Sequence, residues 1–243
     1  MKIQTRHLVY CLISVFLIFG TGGCVYWRLL KLKKQFRHFE RYVILEKTYG
    51  LSLTFKKPIL LEQDIVWLFK GKPAIRAQSG RQTLFKYTFK KLYPVESPLE
   101  IDLAQIALSF LFQDNTLHKV RLPKTFSRYI EPELLTGSLR SVGRGTVDKQ
   151  QRSVSATFQT KQHTDARIIP TRAEVERILG TPYNLTETSS SSTLFYQYHI
   201  HIKSNRHQDS RPNVQLWLTF SSMDNKIISA KASFNGLGAS IRF

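Results

Sequence analysis

The residues best suited to metal chemistry are three histidines in the last fifth of the chain. His199 and His201 are separated by one residue, and His207 follows six positions later. On a β-strand this spacing places the first two imidazoles on one face, as a pair of metal ligands requires. The residues that alternate with them are apolar or aromatic, so the histidines take the solvent side, and no acid accompanies them before Asp209. We therefore predict no metal site.

Acidic side chains could serve general acid–base chemistry if two of them met. Three close pairs occur, namely Glu100 with Asp102, Glu131 with Glu133, and Glu174 with Glu176. The last two pairs fall in the first turns of predicted helices, where acids favour the helix dipole. No pair has a histidine or serine at a catalytic spacing, and neither G-x-S-x-G nor G-x-x-x-x-G-K-[ST] occurs. The sequence predicts a protein that is not an enzyme, with no catalytic residue and no cofactor.

The other reactive residue is Cys24, which follows a segment typical of export. Basic residues at the start, an apolar run over 8–19 and small residues over 20–23 precede it. This order indicates a signal peptide over 1–23, and the apolar run is short of the roughly 20 residues of a membrane span. A small pair directly before a cysteine resembles the bacterial lipobox. That resemblance implies a diacylglyceryl thioether on Cys24 as the mature N-terminus, with palmitate among the added acyl chains.

The residues around this cysteine predict the cellular location of the protein. Cys11 would leave with the signal, so Cys24 would be the single cysteine of the mature chain, as suits an oxidising compartment. Val25 follows it rather than Asp, which in lipoprotein sorting of the well-studied Gram-negative type implies the outer membrane. The resemblance thus implies a lipid-anchored protein that faces the periplasm. The alternative is an uncleaved anchor in the inner membrane. Its basic downstream flank would place the body in the cytoplasm, where nucleic acid becomes a partner.

The chain is strongly basic, with 36 Lys and Arg against 17 Asp and Glu and a formal net charge of +19. Removal of 1–23 leaves +17, which attracts anionic lipid headgroups and acidic protein surfaces. Residues 24–40 predict a lipidated N-terminus and an amphipathic helix. This helix could lie on the bilayer or pack on the body. Its candidate contacts with anionic lipid are Arg28, Lys31, Lys33, Lys34 and Arg37.

Hydrophobic patterning then divides the rest of the chain into two similar stretches. The first, 41–122, contains a hairpin, a short helix from Glu62 and strands near 83–91, 106–112 and 116–122. The second, 171–243, contains a helix over 171–182 and strands near 194–203, 213–220 and 226–234. Residues 123–170 form a linker with a helix over 127–139, which Gly143 and Gly145 end, and a strand over 153–159. The predicted fold is α+β: two tandem small units, each a short antiparallel sheet covered by a helix, after the signal peptide and the amphipathic helix.

The repeat has a measurable offset. Equivalent helix residues such as Val66 and Val175 differ by 109 in residue number. In the next strand, the alternation of the two faces requires an odd difference, which we set at 111. An identical Thr-Leu-Phe at 83–85 and 193–195 would need 110 and turn the core side outward. The serine-rich run 186–193 predicts a mobile hairpin tip.

One aromatic residue points away from the predicted core. Trp217 stands between Leu216 and Leu218 on a strand, so it faces the opposite side. It is a candidate contact for a protein partner. The alternative, which we favour from the packing of α+β layers, is that the linker helix covers it.

The second stretch carries a longer pattern, T-x-x-E-V-x-x-I-L-G-T-P, then Y-Q-Y, L-T-F, a D-N turn and I-I-S. Its matching residues are Thr171, Glu174, Val175, Leu179, Gly180, Pro182, Tyr198, Phe220, Asp224 and Ile228. Over 171–231 it resembles the SmpA/OmlA (BamE-like) outer-membrane lipoproteins, and a looser copy lies at 58–122. The resemblance implies an accessory role in outer-membrane assembly or maintenance.

We therefore predict a cell-envelope lipoprotein that acts as a non-enzymatic scaffold or accessory binding factor. Its partners would be the membrane through Cys24, an envelope protein and anionic lipid, while nucleic acid is disfavoured. The tandem arrangement also resembles the architecture of secreted β-lactamase-inhibitor proteins, which gives an enzyme-inhibitor alternative. The second alternative is a membrane-anchored, cytoplasm-facing protein that binds nucleic acid.

Overall fold

The computed structural model describes residues 25–47, 50–93, 105–124, 131–158, 169–200 and 214–243. The predicted signal peptide over 1–23 and the predicted lipid site Cys24 lie outside the described residues. The helices are α1 (25–37), α2 (Phe39–Tyr42), α3 (Glu62–Phe69), α4 (Pro132–Arg144) and α5 (Arg172–Leu179). The strands are β1 (Val43–Glu46), β2 (Ser52–Phe55), β3 (Ile75–Ser79), β4 (Gln82–Leu92), β5 (Gln105–Gln113), β6 (Thr116–Arg121), β7 (Thr146–Asp148), β8 (Ser153–Thr157), β9 (Asn184–Glu187), β10 (Ser191–Ile200), β11 (Val214–Ser221), β12 (Ile227–Phe234) and β13 (Leu237–Arg242).

All 13 described strands belong to one mixed sheet. Its main order is β1-β2-β6-β5-β4-β10-β11-β12-β13-β8-β7, with β3 on β4 and β9 on β10. The pairing of β13 with β8 is parallel and the other pairings are antiparallel. The predicted fold of two tandem small units, each a short sheet covered by a helix, is therefore wrong.

The two halves merge at β4 and β10. The hairpin partners β3 and β9 cover only the N-terminal part of each long strand. The C-terminal part of each would otherwise be a free edge with unpaired backbone groups, so the two strands pair with each other, Phe89 opposite Ile200. Sequence patterning shows the faces of strands but not which edges meet, and for this reason it missed the fusion.

A single core reflects the continuous sheet. Phe69 of α3 stacks on Tyr87 at 4.1 Å between ring centroids and meets Phe110 edge-on at 5.3 Å. It also meets Phe234 of the second half at 5.0 Å. The Asn235 side chain donates to the carbonyl of Leu68 at 2.9 Å. The helix of the first half is thus packed against strands of both halves.

The internal repeat is real, although its offsets differ from those predicted. Helices α3 and α5 correspond residue by residue at an offset of 110 rather than 109. The Tyr87 hydroxyl donates to the Gly71 carbonyl at 2.9 Å, and the Tyr196 hydroxyl donates to the Gly180 carbonyl at 3.0 Å. This sets the strand offset at 109 rather than 111. An offset of 110 is excluded in the strand, because an even offset would pair residues of the core face with residues of the outer face.

Several elements were missed or misplaced. Four short strands, β3, β7, β9 and β13, are polar or rich in small residues and lack the apolar alternation of a buried strand. The serine-rich run does form a hairpin tip, between β9 and β10, but its outer residues belong to these strands and only the tight turn lies between them. In this turn Thr188 and Ser191 exchange hydrogen bonds. The linker helix continues past Gly143. A Cβ at that position would lie 2.2 Å from the Arg37 backbone nitrogen, so glycine permits α4 and α1 to cross closely.

Candidate functional site

Helix α1 packs on the body, which resolves the orientation that the sequence left open. Val25 is buried, and Leu29, Leu32 and Phe36 pack against the core. These four residues recur at helical spacing and form one apolar face. The apolar side of α1 is therefore used for packing and does not face outward.

An ion pair attaches this helix to the first repeat. The Arg28 guanidinium donates to both oxygens of Asp64, from Nε to Oδ2 at 2.6 Å and from Nη2 to Oδ1. The Asp64 side chain is 1% exposed, and Oδ2 also accepts the Leu61 backbone N–H at 2.8 Å. A bidentate, buried pair of this kind has a fixed geometry and is strongly destabilised if one partner is removed. Arg28, predicted as a lipid contact, is thus engaged within the protein.

Lys33 is engaged in the same way. Its ammonium donates to the Gly143 carbonyl of α4 at 3.1 Å, and burial lowers its pKa. The Gln35 amide donates to the Lys57 carbonyl at 2.7 Å on the other flank of the helix. Two of the five candidate lipid contacts, Arg28 and Lys33, therefore face the body.

The opposite side of α1 presents a distinct surface, which we call the Trp27 stripe. It consists of Trp27, Lys31, Lys34 and Arg37, all exposed, with the Trp27 side chain 58% exposed. Their spacing of three to four residues aligns them along one face of the helix. An exposed tryptophan surrounded by cations is typical of a surface that lies at a membrane–water interface.

A second feature, an aromatic stack of half-buried rings, lies on the face of the sheet opposite the core, which we call the outer face. The rings of Phe195 and Trp217 stack with centroids 5.0 Å apart, and the Lys231 ammonium lies 5.3 Å from the Trp217 ring. Tyr183 meets Phe195 edge-on at 6.0 Å. Trp217 remains a candidate partner contact. The prediction that the linker helix covers it is wrong, because α4 packs on β8 and β13 at the far end of the sheet.

A cavity of about 520 Å³ lies on the same outer face, toward the β7 edge. Its lining is hydroxylated and basic, and it consists of Ser141, Arg144, Gly145, Thr146, Ser155, Ala156, Thr157, Ser229, Ser240, Ile241 and Arg242. None of these lining residues is acidic. This cavity was not predicted from the sequence, because its lining comes from five separate elements. The only local signal was the alternation of Ser and Thr at 153, 155 and 157.

Lys91 is a buried cation at the junction of the two halves. Its ammonium donates to the carbonyls of Leu179 and Thr181, at the end of α5. It lies 4.9 Å from the Tyr93 ring and 5.0 Å from the Tyr196 ring. Burial lowers its pKa to about 8. The carbonyls and ring faces stabilise the charge, so this lysine joins β4 of the first half to α5 of the second.

Only some of the residues first considered for chemistry lie within the described ranges. His199 lies opposite Lys90 at the β4–β10 junction, whereas His201, His207, Glu100 and Asp102 lie outside the described residues. Within the described ranges, no group of three His, Cys, Asp or Glu side chains could hold a metal ion.

Glu174, from one of the acidic pairs, has a structural contact. Its carboxylate accepts the Thr171 backbone N–H at 2.8 Å, and this bond lowers its pKa. The Thr171 hydroxyl in turn faces the Glu174 N–H at 3.4 Å, so the two residues form a capping box. Glu174 therefore has a structural role, because it caps the N-terminus of α5.

No helix in the described part of the chain is long and apolar enough to cross a membrane. Comparison with protein-family models and with curated proteins gives no match for this chain. The function is therefore argued from the surfaces themselves.

Proposed function

We propose that this protein is a cell-envelope lipoprotein that is anchored through Cys24 and acts as a non-enzymatic scaffold or accessory binding factor. The observation that carries the proposal is the orientation of α1. The apolar face of α1 packs on the body, and two of its cations form hydrogen bonds with the body. The Trp27 stripe projects from the other side of the helix, which follows Cys24 directly in the chain.

This arrangement suits a protein held against a bilayer at two points. The acyl chains on Cys24 would give stable attachment by themselves, and a basic patch beside them adds attraction to anionic headgroups. Lys31, Lys34 and Arg37 supply that patch, each cation near an anionic surface contributing about 1 kcal/mol. Trp27 adds an indole suited to the headgroup region. Because α1 is fixed to the body, the membrane would also set the orientation of the sheet.

The sheet then carries the binding function. Tethering raises the effective concentration of the outer face near membrane partners. The half-buried stack of Phe195 and Trp217 is the candidate contact for an envelope protein. The resemblance of 171–231 to the SmpA/OmlA-type lipoproteins supports a role in outer-membrane assembly or maintenance.

The anchor is tested by the mass of the mature N-terminal peptide and by membrane fractionation, for the natural chain and for Cys24→Ser. We expect a diacyl or triacyl mass on Cys24, lost in the variant, and recovery with the outer membrane. Recovery of the lipidated chain with the inner membrane would place the anchor in that membrane instead of the outer membrane. An intact Met1 without lipid would overturn the proposal and make nucleic acid the next partner to test.

The Trp27 stripe is tested separately with the mature chain carrying Cys24→Ser, so that lipid does not contribute. We expect the triple variant Lys31→Gln, Lys34→Gln, Arg37→Gln to weaken binding to vesicles of phosphatidylglycerol about a hundredfold, since three cations at about 1 kcal/mol each contribute about 3 kcal/mol. The matched control removes three exposed cations elsewhere, with Lys72→Gln, Lys90→Gln and Lys149→Gln. Equal weakening by the control would show that only net charge matters, and would contradict a specific stripe.

A further inference from the structure

The strand residues that line the cavity on the outer face form two rows across neighbouring strands. Thr146 of β7 pairs with Ser155 of β8, which pairs with Ser240 of β13. In the neighbouring row Thr157 pairs with Arg242, which pairs with Ser229 of β12. Residues opposite each other in pairing share a face and lie about 5 Å apart, so these side chains form one compact patch. We call this patch, together with Arg144 at the end of α4, the hydroxyl groove.

The hydroxyl groove combines donors of two kinds. Arg144 and Arg242 are exposed and bring permanent positive charge, each with a planar fork that matches two oxygens of a phosphate. The serine and threonine hydroxyls both donate and accept, and the Ser240 hydroxyl already bonds Ser155 Oγ at 3.0 Å. None of the described lining residues is acidic, so these residues present no carboxylate that would repel an anion.

The size and position of the groove limit the ligand. A volume of about 520 Å³ lies within the range of small-molecule sites, about 300–1,000 Å³, and exceeds what a bare phosphate fills. The lining is too polar for an apolar ligand, and its hydroxyls suit a ligand with hydroxyls of its own. The row of Ser155 and Ser240 continues through Lys231 to Trp217, so a further cation and an aromatic ring flank the groove.

From this combination we propose that the hydroxyl groove binds a phosphate monoester carried on a sugar or polyol. Arg144 and Arg242 bind the phosphate, and the hydroxyls of β7, β8, β12 and β13 bind the sugar hydroxyls. The inference goes beyond the proposed function, since it does not depend on Cys24 or on the membrane. The phosphorylated group could be soluble or form the headgroup of a lipid, and both have the same chemistry.

The experiment is calorimetric titration of the mature chain carrying Cys24→Ser with glucose 6-phosphate, glucose and inorganic phosphate. We expect glucose 6-phosphate to bind more tightly than inorganic phosphate, and glucose to show no binding at the same concentration. Arg144→Gln and Arg242→Gln should each weaken glucose 6-phosphate at least fivefold. Lys149→Gln is the matched control, because it removes an exposed charge from the β7–β8 turn outside the groove, and it should change the affinity less than twofold.

A vesicle arm identifies the source of the phosphate. Tighter binding to vesicles with phosphatidylinositol 4-phosphate than to those with phosphatidylinositol, lost in Arg242→Gln, would support the site with a lipid headgroup as its ligand. Binding of glucose 6-phosphate alone would support it with a soluble ligand. The proposal is overturned if neither probe binds, or if Lys149→Gln weakens binding as much as the groove variants. Unchanged circular dichroism and melting temperature will show that these surface variants remain folded.

Discussion

The two copies of the internal repeat use the same backbone bonds. Where the helix begins, the Glu62 N–H donates to the Asn115 carbonyl at 3.3 Å, and the Arg172 N–H donates to the Asn225 carbonyl at 2.9 Å. Both asparagines have a positive φ, 63° for Asn115 in the β5–β6 turn and 54° for Asn225 in the β11–β12 turn. Asparagine tolerates this region better than most residues. The shared bonds show that the repeat is a unit of structure and not only of sequence.

The copies differ most at the third residue of the helix. Asp64 is buried beneath α1 and is bonded by Arg28, whereas its counterpart Glu174 is exposed and closes only on Thr171. One backbone position thus serves as a tertiary anchor in the first copy and as a local cap in the second. Packing partners, rather than the repeat itself, decide what an equivalent residue does.

The largest expected effect breaks the first copy and spares the second. Asp64→Ala leaves the Arg28 guanidinium without its carboxylate in a mostly buried position, and should lower the free energy of unfolding by about 3–5 kcal/mol. Glu174→Ala removes an exposed cap and should cost about 1 kcal/mol. Urea denaturation followed by circular dichroism measures both. Similar costs for the two variants would contradict the difference in role.

A double-mutant cycle sharpens this comparison. Arg28→Met and Asp64→Ala should each destabilise the protein, while the double variant should cost less than the sum of the two, because no unpaired charge remains. Strict additivity would show that the ion pair does not join α1 to the first copy.

The next effect concerns the link between the copies and depends on pH. Burial lowers the pKa of Lys91 to about 8, whereas an unfolded lysine titrates near its ordinary value. Between these values the unfolded chain keeps a proton that the folded chain has lost, so this group makes stability rise with pH. From pH 7.5 to 10, the stability of the natural chain relative to Lys91→Met should rise by about 2 kcal/mol.

Comparison with a variant removes the titration of other groups from this measurement. Lys90→Met, the exposed neighbour on the opposite face of β4, provides the control and should shift by less than about 0.5 kcal/mol over the same range. Denaturant titrations at each pH give both differences. A flat Lys91 difference would mean that its ammonium is solvated and does not hold α5.

The smallest effect tests how equivalent the copies are. Tyr87→Phe and Tyr196→Phe each remove one hydroxyl bond to a glycine carbonyl at the helix end, at 2.9 and 3.0 Å. Each should cost about 1 kcal/mol. The two rings are fully buried, so neither variant gains solvent exposure. Costs that differ by more than twofold in thermal denaturation would show that the shared bond has different weight in the two copies.

Local signals in the sequence were sufficient for many elements. The hairpin of β1 and β2, helix α3 and strands β4 to β6 follow from apolar periodicity and turn residues, as do α5 and β10 to β12. The linker helix was predicted at 127–139, and the helix observed is Pro132–Arg144, which begins after an extended residue at Glu131. Its glycines read as a stop, and only the contact with α1 shows why Gly143 remains helical.

The candidate site was less predictable. The five cations of α1 look alike in sequence, and packing divides them into Arg28 and Lys33 on the body and three on the Trp27 stripe. Arg144 and Arg242 are almost a hundred positions apart in the chain, and the parallel pairing of β8 with β13 brings their strands together. A lysine within a strand gives no sign that it will be buried, so Lys91 could not be singled out.

By itself, the sequence determined the local conformations, the faces of the long strands and the existence of a repeat, because these depend on side-chain periodicity over a few neighbouring residues. The tertiary structure decided that β4 and β10 join two repeats into one sheet, that α1 turns its cations in two directions, and that a hydroxyl groove forms at the β7 edge. These outcomes depend on which edges and faces meet. Such pairings satisfy backbone and charged groups across long chain separations, and no local pattern encodes them.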